Sequence, residues 1–524
     1  IYAGNIEYKL SMGKCRNEWI DMALGIKQVT ISSQSNNQNY ISTLIKDCAW
    51  KFYSKIFILQ NLIILLNFKF VSMEMSFTNI TIRFIDCIFE NVIFTDDITS
   101  ILASTLNVYM TNCTWNLKYL KSGQIKSHFL FNKVDYFHFA AVNSIMSNLN
   151  LTVDVKYFSI SFSETNLKFS NSLFHYNSAI SINNVRRGWL IARNALSFHK
   201  VNISGDTTYS YKSKLQIHPV VNFNLETVLI TFSKSTFHDL PQVLAVAYPK
   251  PATFKDAAQL DIKITNCLFH GIQGSTKGGA LNIQLRKFAT PVIFVNVYIS
   301  NSTFGNTSAF EDGGAVYTST ASYHAVFERK MVFKITHSKF IDCQAGNHGS
   351  SLYFGKYFDV ELQNITFTSS RLDSDFSGAG LFIYSDSVIT LKSISFQSHR
   401  YFGHSSLIQV SKLHVGLENV SFLCPDWSKL SIDSENFYIV VFCGKCKGSY
   451  FAPYLGKFIL KTEKNRQSKE VVPYYSGKPV ISRKCLSCPR GSVCSDGQLK
   501  LLPNHWGVLD DSNVQIYKCP PQYC

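Results

Sequence analysis

The stretch Asn301-Ser302-Thr303-Phe304, followed by Gly313-Gly314-Ala315-Val316-Tyr317, contains two phrases that recur along this chain. The first phrase ends in an aromatic residue, here called the marker. The second phrase begins with small residues and continues with apolar ones. Because both phrases return at intervals of tens of residues, the chain is expected to consist of structural repeats.

The marker recurs through most of the sequence, and from Phe237 onward consecutive markers are 26 to 36 residues apart. The long gap between Trp115 and Phe174 predicts one degenerate coil. An alternating strand precedes most markers, as residues 260–264 show. The assigned markers are Phe89, Trp115, Phe174, Phe198, Phe237, Phe269, Phe304, Phe340, Phe367, Phe396 and Phe422.

A repeat of this length, made of short strands without a helical pattern, is typical of a parallel β-helix. In such a solenoid each strand lies about 4.8 Å from its counterpart in the next coil. Phe304 should therefore stack on neighbouring markers, and Ser302 should be buried on the same face of the strand.

The second phrase predicts a tight turn into the next strand. It begins at Gly278, Gly313, Gly349 and Gly378, and a serine variant begins at Ser405. Glycine is suited to such turns because it adopts positive φ without steric cost. The connections between the two phrases are polar and irregular, as in residues 271–277 and 306–312, and are the expected ligand-binding loops.

Three segments are predicted. Residues 1–50 form an N-terminal cap or the first coils, in which Cys15 and Cys48 either pair or remain thiols. Residues 51–425 form the β-helix. Residues 426–524 lose the marker and gain Lys, Pro and Cys, so we expect a cysteine-rich module that is incomplete here. Within it, residues 461–469 are expected to form an exposed loop.

Eight of the 14 cysteines lie between Cys424 and Cys524, a density typical of an oxidising compartment. Two Cys-x-x-Cys pairs are separated by 38 residues, which is longer than usual zinc-ribbon spacing, so disulfides are predicted instead of zinc. The pairing does not follow from the sequence. The predicted disulfide cysteines are Cys424, Cys443, Cys446, Cys485, Cys488, Cys494, Cys519 and Cys524.

Other cysteines occupy the repeat itself. Cys87 and Cys113 hold the same position in consecutive coils, where they are either bridged or buried as thiols. Cys267 holds that position alone and is predicted to be a buried thiol.

Eight N-x-S/T sequons also favour an extracellular location, either secreted or at the cell surface. Asn301, Asn364 and Asn419 each precede a marker by three residues, so their side chains should face outward. An unmodified asparagine at a strand corner is the alternative. Asn112, with cysteine as the middle residue of its sequon, is set aside. The predicted glycosylation sites are Asn79, Asn150, Asn202, Asn301, Asn306, Asn364 and Asn419.

The net charge of +16 is scattered along the chain, and no nucleic-acid-binding motif accompanies it, so nucleic acid is not an expected partner. The most apolar run, residues 57–70, contains polar residues and is shorter than the roughly 20 residues of a membrane helix. Membrane contact is therefore expected only through segments outside this chain.

No catalytic constellation is visible. Glycoside hydrolysis needs two carboxylates across a groove, but the best acid pairs, Glu311-Asp312 and Asp373-Ser374-Asp375, each lie within one loop and are expected to be solvated. His348 lies beside a turn, and no partner acid is expected one coil away. We therefore predict no catalytic residue, no cofactor and no metal.

The repeats, with the phrase at Gly278 and Gly313, resemble the right-handed parallel β-helix of the pectin-lyase-like superfamily and the repeats of chlamydial polymorphic outer-membrane proteins. Residues 443–450 and 485–494 are similar to cysteine-rich modules of ephrin-receptor or tumour-necrosis-factor-receptor type. The combination resembles large invertebrate surface proteins, in which a β-helix ectodomain leads through a cysteine-rich stalk to membrane spans. This resemblance implies that the chain stops inside the stalk.

The predicted fold class is all-β, a right-handed parallel β-helix solenoid with a small disulfide-rich C-terminal module. The predicted function is an extracellular adhesion or recognition ectodomain that binds a protein or glycan through its loops and is not an enzyme. The alternative is a polysaccharide lyase or glycoside hydrolase on the same scaffold. The chain lacks the Asp and Arg signatures of the enzyme branches of the superfamily.

Overall fold

The structure is a computed structural model that describes the strands and corners of the chain. The described residues are 6–9, 20–21, 29–32, 49–51, 56–60, 63–65, 69–71, 79–86, 88–90, 94–95, 105–116, 129–131, 136–147, 151–153, 157–168, 180–182, 194–204, 221–223, 227–247, 258–273, 275–285, 293–320, 329–355, 358–368, 371–372, 380–383, 388–397, 408–411, 415–424, 428–433, 438–446, 450–452, 457–464, 469–475, 478–479, 485–495, 498–510 and 513–520.

Every regular element among these residues is a β-strand, and none of them forms a helix that could span a membrane. The chain divides into two compact units. The first comprises Ile1–Ser275, Ile283–Val297 and Ala321–Glu328, and the second comprises Thr276–Asn282, Tyr298–Thr320 and Arg329–Cys524. Each unit contains a stack of parallel strands, so the predicted all-β parallel solenoid is confirmed. Its handedness stays a prediction.

In the first unit, a coil contributes a long strand, a short strand after a corner, and a strand of a second sheet. Strands of each kind pair in parallel with their counterparts in the next coil. The long strands are Ile6–Lys9, Val29–Ser32, Ile56–Gln60, Asn79–Ile85, Thr105–Thr111, Tyr136–Val142, Tyr157–Ser163, Asn194–His199, Thr227–Ser233 and Ala258–Thr265. The short strands are Ile63–Leu65, Ile88–Glu90, Thr114–Asn116, Ile145–Ser147, Asn166–Lys168, Asn202–Ser204, Thr236–His238 and Leu268–His270. The second sheet contains Ile20–Asp21, Ala49–Lys51, Lys69–Val71, Phe94–Thr95, Phe129–Phe131, Leu151–Val153, Ile180–Ile182, Val221–Phe223 and Leu244–Ala247.

The second unit is built in the same way and adds a third sheet. Leu281–Leu285 and Ile293–Ser300 contain residues of both units. The first sheet of the second unit contains Thr303–Gly305, Arg329–Thr336, Lys339–Ile341, Asp359–Thr368, Ile389–Gln397, Val415–Glu418 and Val420–Leu423. Its second sheet contains Val316–Thr320, Leu352–Phe354, Leu381–Ile383 and Ile408–Ser411. The third sheet contains Ser275–Lys277, Ser308–Asp312, Gln344–Ala345 and Arg371–Leu372.

The third sheet corrects one expectation from the sequence. The connections at residues 271–277 and 306–312 were expected to be irregular loops, but Ser275–Lys277 and Ser308–Asp312 are paired strands. Ala309 and Asp312 are buried in this segment. Strand pairing satisfies the backbone polar groups that burial would otherwise leave unpaired, and it makes the connection rigid.

Where the structure describes the connection, a sharp corner joins the long strand to the short strand. The corner residue has a left-handed backbone, with φ of 53° at Asn112 and 48° at Asn301. Its amide donates to the carbonyl of the neighbouring coil, as Asn301 N does to Thr336 O at 3.1 Å. Asparagine and aspartate tolerate this backbone best among residues with a side chain. The corner residues are Asp86, Asn112, Asn143, Glu164, Lys200, Lys234, Asn266, Asn301, His337, Asn364, Ser393 and Asn419.

A buried hydroxyl follows many of these corners and satisfies the turned backbone. Ser338 Oγ donates to Thr336 O at 2.9 Å and accepts from Ser302 N at 3.2 Å. Ser144 makes the same two bonds, to Val142 O and from Cys113 N. A small polar side chain at this position therefore forms hydrogen bonds with the corner backbone and is small enough to be buried in the core. The predicted burial of Ser302 is confirmed.

The marker rings of the second unit stack as predicted. Phe304 and Phe340 have centroids 4.9 Å apart and planes 6° apart, and Phe396 and Phe422 are 5.0 Å and 2° apart. Phe367 stacks between these two pairs. All five rings are buried and join five consecutive coils into one column.

In the first unit, the marker assignment between Trp115 and Phe237 is revised. The register places Met146, Leu167 and Ile203 between Trp115 and Phe237. Phe198 was assigned as a marker but lies in a long strand, and Phe174 lies outside the described residues. Aliphatic side chains fill the same inward position as an aromatic ring, so a search for aromatic residues overlooks these coils.

Antiparallel strands end the parallel stack. Tyr438–Lys445 pairs with Ile408–Ser411 and with Ser428–Asp433, and Lys457–Lys464 pairs with Val420–Leu423. Residues 461–469 were expected to form an exposed loop. Instead, Lys457–Lys464 and Lys469–Tyr475 form a hairpin, which Lys478–Pro479 extends. This hairpin covers the last coil, whose edge would otherwise expose unpaired backbone groups.

The C-terminal region also contains three short antiparallel pairs. They are Tyr450–Phe451 with Leu486–Ser487, Ser492–Ser495 with Gln498–Leu501, and His505–Asp510 with Asn513–Lys518. Disulfides join Cys424 to Cys443, Cys446 to Cys485 and Cys488 to Cys494. A disulfide-rich C-terminal region is therefore present. The segment boundaries at residues 50 and 425 stay predictions.

The second phrase forms the predicted tight turn in the described coils. Gly278, Gly313 and Gly349 have φ of 62°, 67° and 58°. The next residue, Gly314, is required for a different reason. A Cβ there would overlap the carbonyl oxygens of Ser350 and Gln344 in the neighbouring coil.

Replacing Gly314 with alanine should lower the free energy of unfolding by about 2–4 kcal/mol, because backbone of the next coil must move to admit the methyl group. The matched control is Gly416→Ala, where the added carbon meets only Ile389 O at 3.8 Å. That variant should change stability by less than about 0.5 kcal/mol. Denaturant titration measures both, and equal losses would contradict the close approach at Gly314.

Two buried thiols generate a second prediction. Burial raises the pKa of Cys343 from 9.0 to about 11, and burial raises that of Cys267 to about 11 as well. A raised pKa means that folding favours the neutral thiol. The contribution of the buried neutral thiol to the free energy of unfolding is therefore fully present below pH 9 and is lost as the pH rises toward 11.

The native chain should resist alkylation at Cys343 at pH 8, and its free energy of unfolding should fall by roughly 1–2 kcal/mol through this thiol between pH 9 and 10.5. Denaturant titrations across that range, with Cys343→Ala as the reference, isolate the contribution from other groups. If the variant shows the same pH dependence as the wild type, the thiol titrates normally.

Candidate functional site

The candidate site lies in the second unit, where the third sheet ends and the second phrase begins. Lys277, Asp312 and His348 each stand immediately before the first glycine of that phrase. Asp312 and His348 form a parallel β-bridge, so they are direct neighbours in adjacent coils. We call Lys277, Asp312 and His348 the ionisable column.

Asp312 connects the column. Its Oδ1 lies 2.9 Å from Nδ1 of His348, and its Oδ2 lies 3.4 Å from Nζ of Lys277. The Asp312 side chain is only 11% exposed, whereas those of Lys277 and His348 are 28% and 32% exposed. The central carboxylate is therefore held by two flanking groups that remain accessible to solvent.

Glu311 adds a second carboxylate beside the column. Its Oε2 lies 3.3 Å from Nζ of Lys277, and its side chain is 45% exposed. The strand Ser308–Asp312 holds Glu311 and Asp312 in place. Burial disfavours the charged form of Lys277, but Tyr317, Asp312 and Glu311 outweigh that effect and raise its pKa above the ordinary value. The amine therefore stays protonated at physiological pH.

An aromatic column stands beside the ionisable one. Tyr317, Tyr353 and Phe382 stack with centroid distances of 4.9 and 5.0 Å. Nζ of Lys277 lies 4.8 Å from the centroid of the Tyr317 ring and 3.3 Å from its hydroxyl. Tyr317 and Phe382 are buried, and Tyr353 is partly exposed. The aromatic column supports the ionisable column in addition to filling the core.

The sequence analysis was wrong about His348. No partner acid was expected one coil away, but Asp312 is that acid. The marker and the first glycine are nine residues apart in each of these three coils, so the sequence already gives Asp312 and His348 the same repeat position, and this correspondence was overlooked. Alignment on the first glycine of the second phrase places Lys277, Asp312 and His348 at one position and Tyr317, Tyr353 and Phe382 at another.

Of the candidate acids, Asp312 was expected to be solvated but is buried. Asp373 and Asp375 lie outside the described residues, so their predicted solvation stays a prediction. Among the described residues, no group of three or more His, Cys, Asp or Glu side chains is placed to hold a metal ion.

Several predicted glycosylation sites are exposed. Asn301, Asn364 and Asn419 face outward, as the sequence analysis expected, and Asn202 and Asn306 are also exposed. Asn150 and the side chain of Asn79 lie outside the described residues. Glycosylation stays a prediction.

The left-handed backbone of the corner is a second explanation for the occurrence of asparagine at some of these positions. Asn112, Asn301, Asn364 and Asn419 are all corner residues. The preference of asparagine for this backbone accounts for its presence there without a glycan. The sequons at these corners are therefore weaker indicators of compartment than their number suggests.

Neither Cys-x-x-Cys pair forms a disulfide within itself. Cys443 and Cys446 belong to one Cys-x-x-Cys pair but bond to Cys424 and Cys485. Cys519 is also disulfide-bonded, and Cys524 lies outside the described residues. Of the repeat cysteines, Cys113 and Cys267 are buried, and Cys15, Cys48 and Cys87 lie outside the described side chains.

No family model matches the chain, and no curated protein matches it. Among solved structures, the chain is similar to the crystal structure of PfbA, a surface adhesin of Streptococcus pneumoniae. The match covers 73% of this chain and 91% of the PfbA chain, at 10% sequence identity and a TM-score of 0.21. A likeness at this TM-score carries no argument about function.

Replacing Asp312 with asparagine should lower the free energy of unfolding by about 1–3 kcal/mol, because a buried charge-assisted contact to Lys277 and His348 is lost. Glu311→Gln is the matched control. Its more exposed carboxylate contacts the same amine, and its loss should cost less than about 1 kcal/mol. Denaturant titration compares the two variants, and a larger loss in Glu311→Gln would contradict the central position of Asp312.

Proposed function

We propose that this chain is the recognition part of an extracellular protein and that it binds a protein or glycan through the ionisable column and Glu311. The observation that supports this proposal is that Lys277, Asp312 and His348 occupy one position in three consecutive coils. Adjacent parallel strands are about 4.8 Å apart, so the column offers charged donors and acceptors at a regular spacing.

Rigidity supports a binding role. The third sheet holds the residues before each turn, and positive-φ glycines such as Gly313 fix the turn that follows. Groups that are already ordered lose little conformational entropy on binding. The three disulfides of the C-terminal region support an extracellular location, since such bonds persist in oxidising compartments.

The proposal predicts that Glu311→Lys weakens binding to cells by about tenfold or more, because it reverses the charge of an accessible side chain in the site. Glu418→Lys is the matched control. Glu418 also pairs with a lysine, Lys392, at 3.2 Å and is 60% exposed, but it lies on the first sheet. Labelled chain is titrated onto cells, and stability is measured for each variant.

Treating the cells with glycosidase or with protease before the titration separates glycan from protein ligands. Equal binding by the Glu311→Lys and Glu418→Lys variants would place recognition elsewhere on the chain.

The second candidate is a polysaccharide lyase or glycoside hydrolase. The hydrogen bond between Asp312 and His348 favours it, since a carboxylate-oriented imidazole is suited to proton transfer. Incubation with a panel of polysaccharides, followed by assays for reducing ends and unsaturated uronates, tests this function. Turnover that His348→Ala abolishes would establish the enzyme and displace the binding proposal.

A further inference from the structure

The first unit carries a pair of histidines at the outer end of two adjacent short strands. His238 ends Thr236–His238, and His270 ends Leu268–His270. The parallel register places these two residues directly opposite each other. Phe237 and Phe269 are the middle residues of these two strands and point inward. Because side chains alternate along a strand, both imidazoles point outward.

The spacing suits shared coordination of one ion. Paired positions on adjacent parallel strands are about 4.8 Å apart. Two imidazole nitrogens on one zinc ion, each at about 2.0–2.1 Å, are closer together than that, and rotation of the partly exposed His238 and the exposed His270 closes the difference. The preceding strand carries Ser204 at the same register position, which leaves the histidines as the two strong ligands of the column.

Asp239 orients one of the two rings. Its Oδ2 lies 3.2 Å from Nδ1 of His238, and a carboxylate only accepts hydrogen bonds, so Nδ1 is the protonated nitrogen of the neutral ring. Nε2 then keeps the lone pair that a metal needs, in the carboxylate–histidine–metal arrangement.

The backbone makes room for this carboxylate. Asp239 has a left-handed backbone, with φ of 55°, and its amide donates to His270 O at 3.0 Å. The residue after His270 is Gly271, and a Cβ there would lie only 2.5 Å from Oδ1 of Asp239. The absence of a side chain at Gly271 therefore lets Asp239 lie across the corner of the neighbouring coil.

We propose that His238 and His270 form a surface site for a divalent transition metal such as Zn²⁺ or Cu²⁺, with Asp239 as a positioning residue. Imidazole is a preferred ligand for these ions. The protein supplies two ligands and water completes the coordination. The site lies in the first unit and does not involve the ionisable column. A test of metal binding is therefore independent of a test of the proposed binding function.

Calorimetric titration of the full chain with ZnCl₂, after removal of any affinity tag, tests the site. His238→Ala and His270→Ala should each weaken binding by about tenfold or more, since the second imidazole acts at high effective concentration. Asp239→Asn should weaken it by about tenfold, as outer-shell partners generally do. Asparagine keeps the left-handed backbone, so this variant should retain the fold.

His199→Ala is the matched control. His199 is an exposed histidine of the same unit, but its register neighbours are Ser163 and Ser233. The chain contains 14 histidines, so the site is read as the difference between variants and wild type. Zinc affinity that falls equally in His199→Ala, or that is unchanged in both pair variants, overturns the proposal.

Electron paramagnetic resonance with Cu²⁺ gives an independent readout. The wild type should show two coordinated nitrogens, and each single-histidine variant should show one. An unchanged nitrogen count in either variant rejects a shared site, even if zinc affinity falls. Denaturant titration of all four variants confirms that any loss is not a loss of fold.

Discussion

The solenoid depends on a corner that an ordinary L-residue enters only at a cost. In the coils from Asp86 to Asn419 whose corners the structure describes, the chain leaves the long strand and enters the short one through a left-handed residue. That conformation costs about 1–2 kcal/mol for most side chains. The structure offsets this cost with hydrogen bonds, because Asn301 N and Ser338 Oγ both bond to the carbonyl of Thr336. The corner thereby keeps successive coils in register, and every stacked column follows from that register.

The columns have different consequences inside and outside. Inside, Phe304, Phe340 and Phe367 stack face to face and gain contact energy beyond burial. Outside, the same register brings together a carboxylate and an imidazole, as in Asp312 and His348, or two imidazoles, as in His238 and His270. A repeat that exists for packing therefore also produces clusters of functional groups at about the strand spacing.

Much of the fold was predictable because its signals are local. The marker at Phe304, the buried Ser302 and the glycine turn at Gly313 follow from side-chain alternation and the conformational freedom of glycine. Coils marked by Met146 and Ile203 were missed because any apolar side chain can fill the inward position. The third sheet was missed because Ser308–Asp312 is short and polar, and its strand character comes from pairing with Gln344–Ala345.

The sequence by itself determined a parallel β solenoid, the inward faces of its strands and a C-terminal region closed by disulfides. It did so because strand alternation, repeat length and cysteine density each depend on residues close together in the chain. Only the tertiary structure decided which cysteines pair and which polar residues meet. Asp312 and His348 are 36 residues apart in sequence and 2.9 Å apart at their closest polar atoms. The two residues hold the same repeat position, but only strand pairing between coils brings their side chains into contact.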